Sequence, residues 1–407
     1  MAVQAVIFDY KTLLMRPGTP QAQAARGMLE WLRDRGLRWC VFTTDPFSEN
    51  YRQDFGQLGY PEPDLLVDLG HIASGKRRGS PDWVDTVTAA FELERRELLY
   101  VGCNVMDWRT AINSGVLYLH ACWAGPMPSG TTSLTADSPQ EIPKFTETFL
   151  TGPPSWSHRL DQDHWSLRSL LPASATLPST SPARWFALQD VFTYDKTIKI
   201  NNDDARDVLM LFVLANAYLE GLIPANPYIC VYPGSKKGKV SAQLKDYLDK
   251  AAKLFHGYYR DDLLVRMVDA PDTSIERARA RRQGGTADVS IATQATTVHL
   301  GPKYRGKLKG KTVVVFDDFT THGMSLEWAR LLLAAAGVGR IVMLTVGKYG
   351  TGHTRYELKD GKVLDPYVLN ALTADDFSSV NCRPIVDQAA EGRLSTLISI
   401  SLGTTGH

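Results

Sequence analysis

The segment Val313-Val314-Val315-Phe316-Asp317-Asp318-Phe319-Thr320-Thr321-His322-Gly323-Met324-Ser325-Leu326 carries the densest chemistry in the chain. An apolar, β-branched run reads as a buried strand. Two adjacent carboxylates end it, a short turn of hydroxyls and glycine follows, and a helix begins. The C-terminal edge of a parallel strand is where open α/β sheets bind ligands. Small residues let backbone amides turn around a phosphate, and the next helix N-terminus adds its dipole. Two carboxylates beside a phosphate make sense if they hold sugar hydroxyls, or a magnesium-bound polyol, at the same time.

This pattern resembles the signature of type I phosphoribosyltransferases. The resemblance implies that Asp317 and Asp318 hold the ribose of phosphoribosyl pyrophosphate (PRPP). It also implies that Thr320, Thr321, His322, Gly323, Met324 and Ser325 cradle its 5-phosphate, with His322 standing where a second threonine is usual. Tyr228–Tyr232 followed by Pro233, Gly234, Ser235, Lys236 and Lys237 resembles the family's pyrophosphate loop, and Arg266 closes the next strand. Arg277, Arg279, Arg281 and Arg282 fall where the family has a loop that closes over PRPP. The implied reaction displaces pyrophosphate from the ribose by an acceptor, normally a nitrogenous base. Mg2+ and basic side chains neutralise the leaving group.

A second resemblance lies at the other end. Ala5-Val6-Ile7-Phe8-Asp9-Tyr10-Lys11-Thr12-Leu13 is similar to the first motif of haloacid dehalogenase-like (HAD) hydrolases. Thr43 after Cys40-Val41-Phe42, Lys76 in a basic loop, and Gly102-Cys103-Asn104-Val105-Met106-Asp107 follow in that family's order. The resemblance gives Asp9 the nucleophile position, makes Asp9 and Asp107 the anchors of Mg2+, and gives Lys76 the charge-balancing role. Lys11 replaces the acid–base aspartate and Cys103 one acidic anchor. Phosphatase chemistry is therefore expected to be impaired.

These residues need a frame that brings strand ends together. Short apolar runs alternate with amphipathic segments at both ends of the chain, which predicts two α/β, Rossmann-like parallel-sheet domains. They are a HAD-like domain over 1–148 and a phosphoribosyltransferase-like domain over 190–407. Between them, 149–189 is rich in Pro, Ser and Thr and is expected to be a linker, partly packed because Trp156, Trp165, Trp185 and Phe186 fall in or beside it. Helices are expected over 21–35, 82–93, 203–220, 240–255 and 326–336.

The 407 residues carry 45 Lys+Arg against 44 Asp+Glu, a formal charge of +1. That balance argues against a nucleic-acid backbone as partner. The N-terminus lacks the basic start of a signal peptide, and no apolar run reaches the length of a membrane span. Five scattered cysteines read as reduced thiols, so a cytoplasmic protein is expected. PRPP and a small-molecule acceptor are the expected partners, and a homodimer is compatible with the sequence. Two other readings stand beside the transferase: a two-step enzyme whose HAD-like domain dephosphorylates the product, and a PRPP-sensing regulator without turnover.

Overall fold

The computed structural model describes the chain except for residues 1, 45–47, 132, 202, 225, 239, 241–243, 246, 250, 251, 253–256, 271–289 and 402–407. Two compact units divide it. One comprises Met1–Pro154, Leu214–Asn226 and Lys250–Gly257, and the other Ser155–Val213, Pro227–Asp249 and Tyr258–His407. The second expected domain is therefore not one continuous stretch, because parts of 190–407 belong to the first unit.

The first unit holds a six-stranded sheet of β1 (Ala5–Asp9), β2 (Arg38–Phe42), β3 (Leu65–Val67), β4 (Leu98–Gly102), β5 (Leu117–Ala121) and β6 (Leu134–Ala136). Their order is β3-β2-β1-β4-β5-β6, and every pair is parallel. Helices cover both faces of such a sheet, so its central strands must be apolar throughout. Ala5, Val6, Ile7 and Phe8 are all fully buried. The helix Pro20–Asp34 opens with Thr19 accepting from Ala22 N at 3.2 Å and buries Ala25, Met28, Leu29 and Leu32, the face that their spacing predicts. Strand order reverses between β1 and β4, so the ends of these two strands flank a crevice.

The second unit holds a seven-stranded sheet. Its strands are β7 (His158–Gln162), β8 (Trp165–Pro172), β13 (Tyr228–Val231), β14 (Tyr258–Tyr259), β17 (Thr312–Thr320), β18 (Arg340–Lys348) and β21 (Ile385–Val386). Their order is β14-β13-β17-β18-β8-β7-β21. Strands β14 to β8 run parallel; at one edge β7 pairs antiparallel with β8, and β21 pairs antiparallel with β7. Short pairs lie outside it: β9 (Thr176–Pro178) with β10 (Trp185–Ala187), β11 (Lys199–Ile200) with β12 (Asp203–Asp204), β15 (Leu264–Arg266) with β16 (Val298–Leu300), and β19 (His353–Leu358) with β20 (Phe377–Cys382).

Three expectations need correction here. The stretch 149–189 is not a linker, because β8 lies inside the sheet beside β18. Its polar residues are satisfied there: Ser169 Oγ meets Thr345 Oγ1 at 2.6 Å, and buried Arg168 holds Asp161 at 2.8 Å. The second sheet is mixed rather than purely parallel. The strand ending in Arg266 joins none of the parallel strands and pairs antiparallel with β16. The expected helix over 240–255 falls largely outside the described residues. Among the described residues, no helix is long and apolar enough to cross a membrane.

Candidate functional site

In the second unit, β17 runs through the acidic pair and ends at Thr320, later than the sequence suggests. Phe319 explains the extension. It pairs with Gly347 across β17 and β18 and lies flat on it, so that a methyl at 347 would collide with the Phe319 ring. Asp317 accepts from Asp318 N at 3.0 Å, and Asp318 accepts from Phe319 N at 2.7 Å. Burial lifts both carboxyls above their ordinary range, and the neighbouring Asp318 charge lifts Asp317 further. The turn 321–323 then leads into the helix Met324–Ala335, whose N-terminus has no side-chain cap. Its first-turn N–H groups are free for an anion in the manner of helix N-termini generally.

Gly323 has φ +83°, a left-handed conformation that a side chain disfavours. A methyl there would also collide with the His353 ring. Gly323→Ala is expected to cost about 1–3 kcal/mol of stability and to weaken whatever phosphate binding the turn supports. Thermal unfolding and calorimetric titration with inorganic phosphate check both effects.

The basic loop sits beside the acidic pair. β13 is the parallel neighbour of β17, with Val231 opposite Phe316 and Tyr232 N donating to Phe316 O at 2.8 Å. Pro233–Lys237 therefore leaves the sheet next to Asp317. Lys236 Nζ lies 3.2 Å from Asp269 and Lys237 N donates to the same carboxylate at 2.7 Å. Arg266, expected to touch substrate, is instead a strut. It is buried, with Nε on Gly234 O at 2.6 Å, Nη1 on Thr297 Oγ1 at 2.7 Å and Nη2 on Gln294 Oε1 at 3.1 Å. It holds the basic loop from behind. The arginine-rich segment Arg277–Arg282 lies outside the described residues.

Lys348 closes β18. It is 1% exposed, and its amine donates to Thr321 O and to Gly352 O. Burial pushes this ammonium down to about 8. The sequence signal was a lysine ending an otherwise apolar strand.

The first unit gathers a second cluster at the ends of β1 and β4. Asn104 caps the helix Val105–Ser114 by accepting from Met106 N at 2.8 Å, which brings Asp107 back onto Gly102. A methyl at Gly102 would collide with Asp107, so the motif's glycine is a packing requirement. Asp9, Cys103 and Asp107 offer ligand atoms within 4.8 Å of one another. Thr43 follows β2 nearby and is buried, while Lys11 is exposed and meets Asp9 only through its backbone N–H, at 2.9 Å.

The charge-balancing base is not Lys76. That side chain is exposed and lies 3.5 Å from Asp82. Glycines at 75 and 79 with positive φ turn the loop so that Arg78 enters the crevice instead. Buried Arg78 places Nη1 3.1 Å from Asp9 Oδ2 and bonds Asp107 Oδ1 and the Tyr100 hydroxyl through Nη2. A forked guanidinium spans two carboxylates where an ammonium reaches one.

Mg2+ fits this cluster poorly. Asp9 Oδ1 faces Lys11 N and Cys103 Sγ, and Asp9 Oδ2 faces Arg78. Asp107 Oδ1 faces Arg78 and Tyr100, while its Oδ2 accepts from Cys103 N, Asn104 N and Asn104 Nδ2. All four carboxylate oxygens are thus engaged. Burial, then the Asp9 and Asp107 charges, push the Cys103 thiol up to about 12, so it stays protonated at neutral pH. A thiol is also the wrong donor for a hard cation.

No protein-family model matches the chain, and no curated protein matches it. Solved structures similar to part of it include a 4-nitrophenylphosphatase from Thermotoga maritima, at 12% identity over 35% of this chain and 97% of that one, with a TM-score of 0.30. A HAD-superfamily hydrolase of subfamily IA from Geobacter sulfurreducens is 15% identical over 35% of this chain and 98% of its own, TM-score 0.27. The cobalt-bound form of the deoxy-D-mannose-octulosonate 8-phosphate phosphatase from Haemophilus influenzae is 13% identical over 36% and 87%, TM-score 0.27.

Proposed function

We propose that the second unit binds PRPP at the C-terminal edge of β13, β17 and β18 and transfers its phosphoribosyl group to a small acceptor, releasing pyrophosphate. One observation carries this reading: the acidic pair and the basic glycine loop leave adjacent parallel strands, with Tyr232 N bonded to Phe316 O. Ribose hydroxyls and pyrophosphate are likewise adjacent in PRPP. Asp317 and Asp318 would accept from the ribose hydroxyls, and the 321–325 turn would donate to the 5-phosphate. Lys236 and Lys237 would meet the pyrophosphate, exchanging an exposed pairing with Asp269 that is worth little in water. Mg2+ arrives with PRPP and neutralises the leaving group. A nitrogenous base is the simplest acceptor, because a neutral lone pair can attack an anomeric carbon without prior deprotonation.

In this reading the first unit is a HAD-like domain without phosphatase activity. The engagement of Asp9 and Asp107 with Arg78 disfavours the two-step alternative. Retained binding residues also suit a PRPP sensor, and pyrophosphate release separates the two. Titration of the full chain with PRPP is expected to give micromolar binding that needs Mg2+. Absence of heat at millimolar PRPP would sink the assignment, and binding without pyrophosphate release across a panel of nucleobases would favour the sensor.

A further inference from the structure

Behind the 321–325 turn lies a buried charged network that PRPP would not touch. Glu327, in the first turn of the helix Met324–Ala335, is fully buried. Its carboxylate is shared three ways: His353 Nε2 lies 2.8 Å from Oε1, and Oε2 accepts from Arg330 Nε at 2.9 Å and from Tyr356 N at 3.1 Å. A carboxylate oxygen accepts, so Nε2 carries the hydrogen of a singly protonated ring, and Nδ1 of such a ring holds a lone pair.

That Nδ1 is buried and has no hydrogen-bond partner. Leaving such a group unsatisfied costs about 1–3 kcal/mol. It lies against Gly323, where a methyl would collide with both Nδ1 and Cε1 of the ring. The turn is tied to the same element, since Thr354 N donates to His322 O at 3.0 Å. Among the described residues, the charged and titratable groups set near the ring are Glu327 and Arg330 from the helix, Lys348 from β18, whose amine bonds the adjacent Gly352 O, and His322 of the turn, whose carbonyl takes Thr354 N. From β8 the ring meets Trp165, 5.9 Å between centroids, and from β20 its strand partner is Cys382.

We propose that His353 is a proton-linked positioning residue for the phosphate turn. When a phosphate dianion settles among residues 321–325, the ring takes up a proton from solvent at Nδ1. One N–H bond forms, nothing is oxidised or reduced, and the resulting imidazolium stands between the Glu327 carboxylate and the turn. The inference rests on the reading of 321–325 as a phosphate cradle. It explains an orphan nitrogen beside an obligatory glycine: the site is incomplete until the anion arrives. Binding that takes up a proton tightens as pH falls, down to about pH 6, where a phosphate monoester itself begins to protonate. Lys348 also changes charge near pH 8, so the assignment rests on a His353 variant and not on the slope of the native protein alone.

The test is calorimetric titration of the full chain at pH 7.5 with PRPP and, separately, with inorganic phosphate, each in two buffers of different ionisation enthalpy. The native protein is expected to take up a proton on binding. His353→Gln keeps a donor for Glu327 but cannot titrate. It should lose that uptake and bind about tenfold more weakly, equivalent to ~1.4 kcal/mol. Unchanged uptake and affinity in His353→Gln overturn the inference. Phosphate binding with His353-dependent uptake but no PRPP binding would leave it standing while the phosphoribosyl reading falls, and binding of neither overturns both. If His353→Gln does not fold, the ring 15N shifts of the native protein decide: a change to the doubly protonated pattern on adding phosphate supports the inference, and no change overturns it.

Discussion

Replacing Asp317 and Asp318 together by asparagine is expected to abolish PRPP binding while leaving the protein at least as stable as the native chain. The two effects have opposite signs for one reason. The pair sits half-buried in the last part of β17, accepting from the Asp318 and Phe319 backbone N–H groups. In the free protein this is a burden. Burial and, for Asp317, the adjacent charge hold the folded-state carboxyls above the ordinary 3.8. The folded chain thus binds protons that the unfolded chain has released, and stability falls as pH rises from about 3.8 through the raised values. That penalty grows as pH rises, and asparagine does not carry it. In the proposed PRPP complex the charges would repay their cost by accepting from two ribose hydroxyls. A hydrogen bond to a charged group is worth about 1.5–3 kcal/mol, so losing two weakens binding by roughly 10²–10⁴-fold. Thermal unfolding at pH 5 and pH 8 together with PRPP titration reads both. A lower Tm at pH 8 would contradict the electrostatic account, and unchanged PRPP affinity would remove the acidic pair from the site.

The parts of this architecture that sequence makes legible are those with one-dimensional signatures. The strands carrying Asp9 and Asp317, the face of the helix Pro20–Asp34 and the glycine turn at 323 each follow from periodicity or from a backbone need local to a few residues. What escapes is whatever depends on a partner far along the chain. Trp165–Pro172 reads as polar, proline-flanked linker because Ser166, Arg168 and Ser169 look solvated. Inside the sheet Ser169 and Arg168 find Thr345 and Asp161, and only then can such a strand be buried. Among Lys76, Arg77 and Arg78 the sequence offers three bases at almost one address. Two glycine conformations and the reach of a guanidinium choose the third. His353 and Glu327 are separated by 26 positions and no motif links them. The remaining trace is a glycine that any phosphate loop would carry, so the histidine pressed against it stays hidden.

Arg78→Ala is expected to be the most damaging single substitution in the first unit. Burial works against the Arg78 charge, yet Tyr100, Asp107 and Asp9 keep the guanidinium ionised. Its removal leaves the Asp9 and Asp107 carboxylates facing the Cys103 thiol with no counter-charge. Breaking a buried ion pair by deleting one partner costs about 3–5 kcal/mol, a drop in Tm of several degrees or more for a unit of this size. The pH dependence has a definite sign. Asp107 is already pushed up to about 7, by burial first and then by Asp9, with Arg78 opposing. Without Arg78 the folded Asp107 carboxyl rises further, so the variant is penalised most where that carboxyl is forced to ionise. The loss should be larger at pH 8 than at pH 5, by calorimetric unfolding of the full chain. Arg78→Lys should fall between, since an ammonium cannot bridge both carboxylates. Equal destabilisation at both pH values would mean that Arg78 contributes by packing on Phe42 and Trp83, whose ring centroids each lie 5.3 Å from its guanidinium carbon.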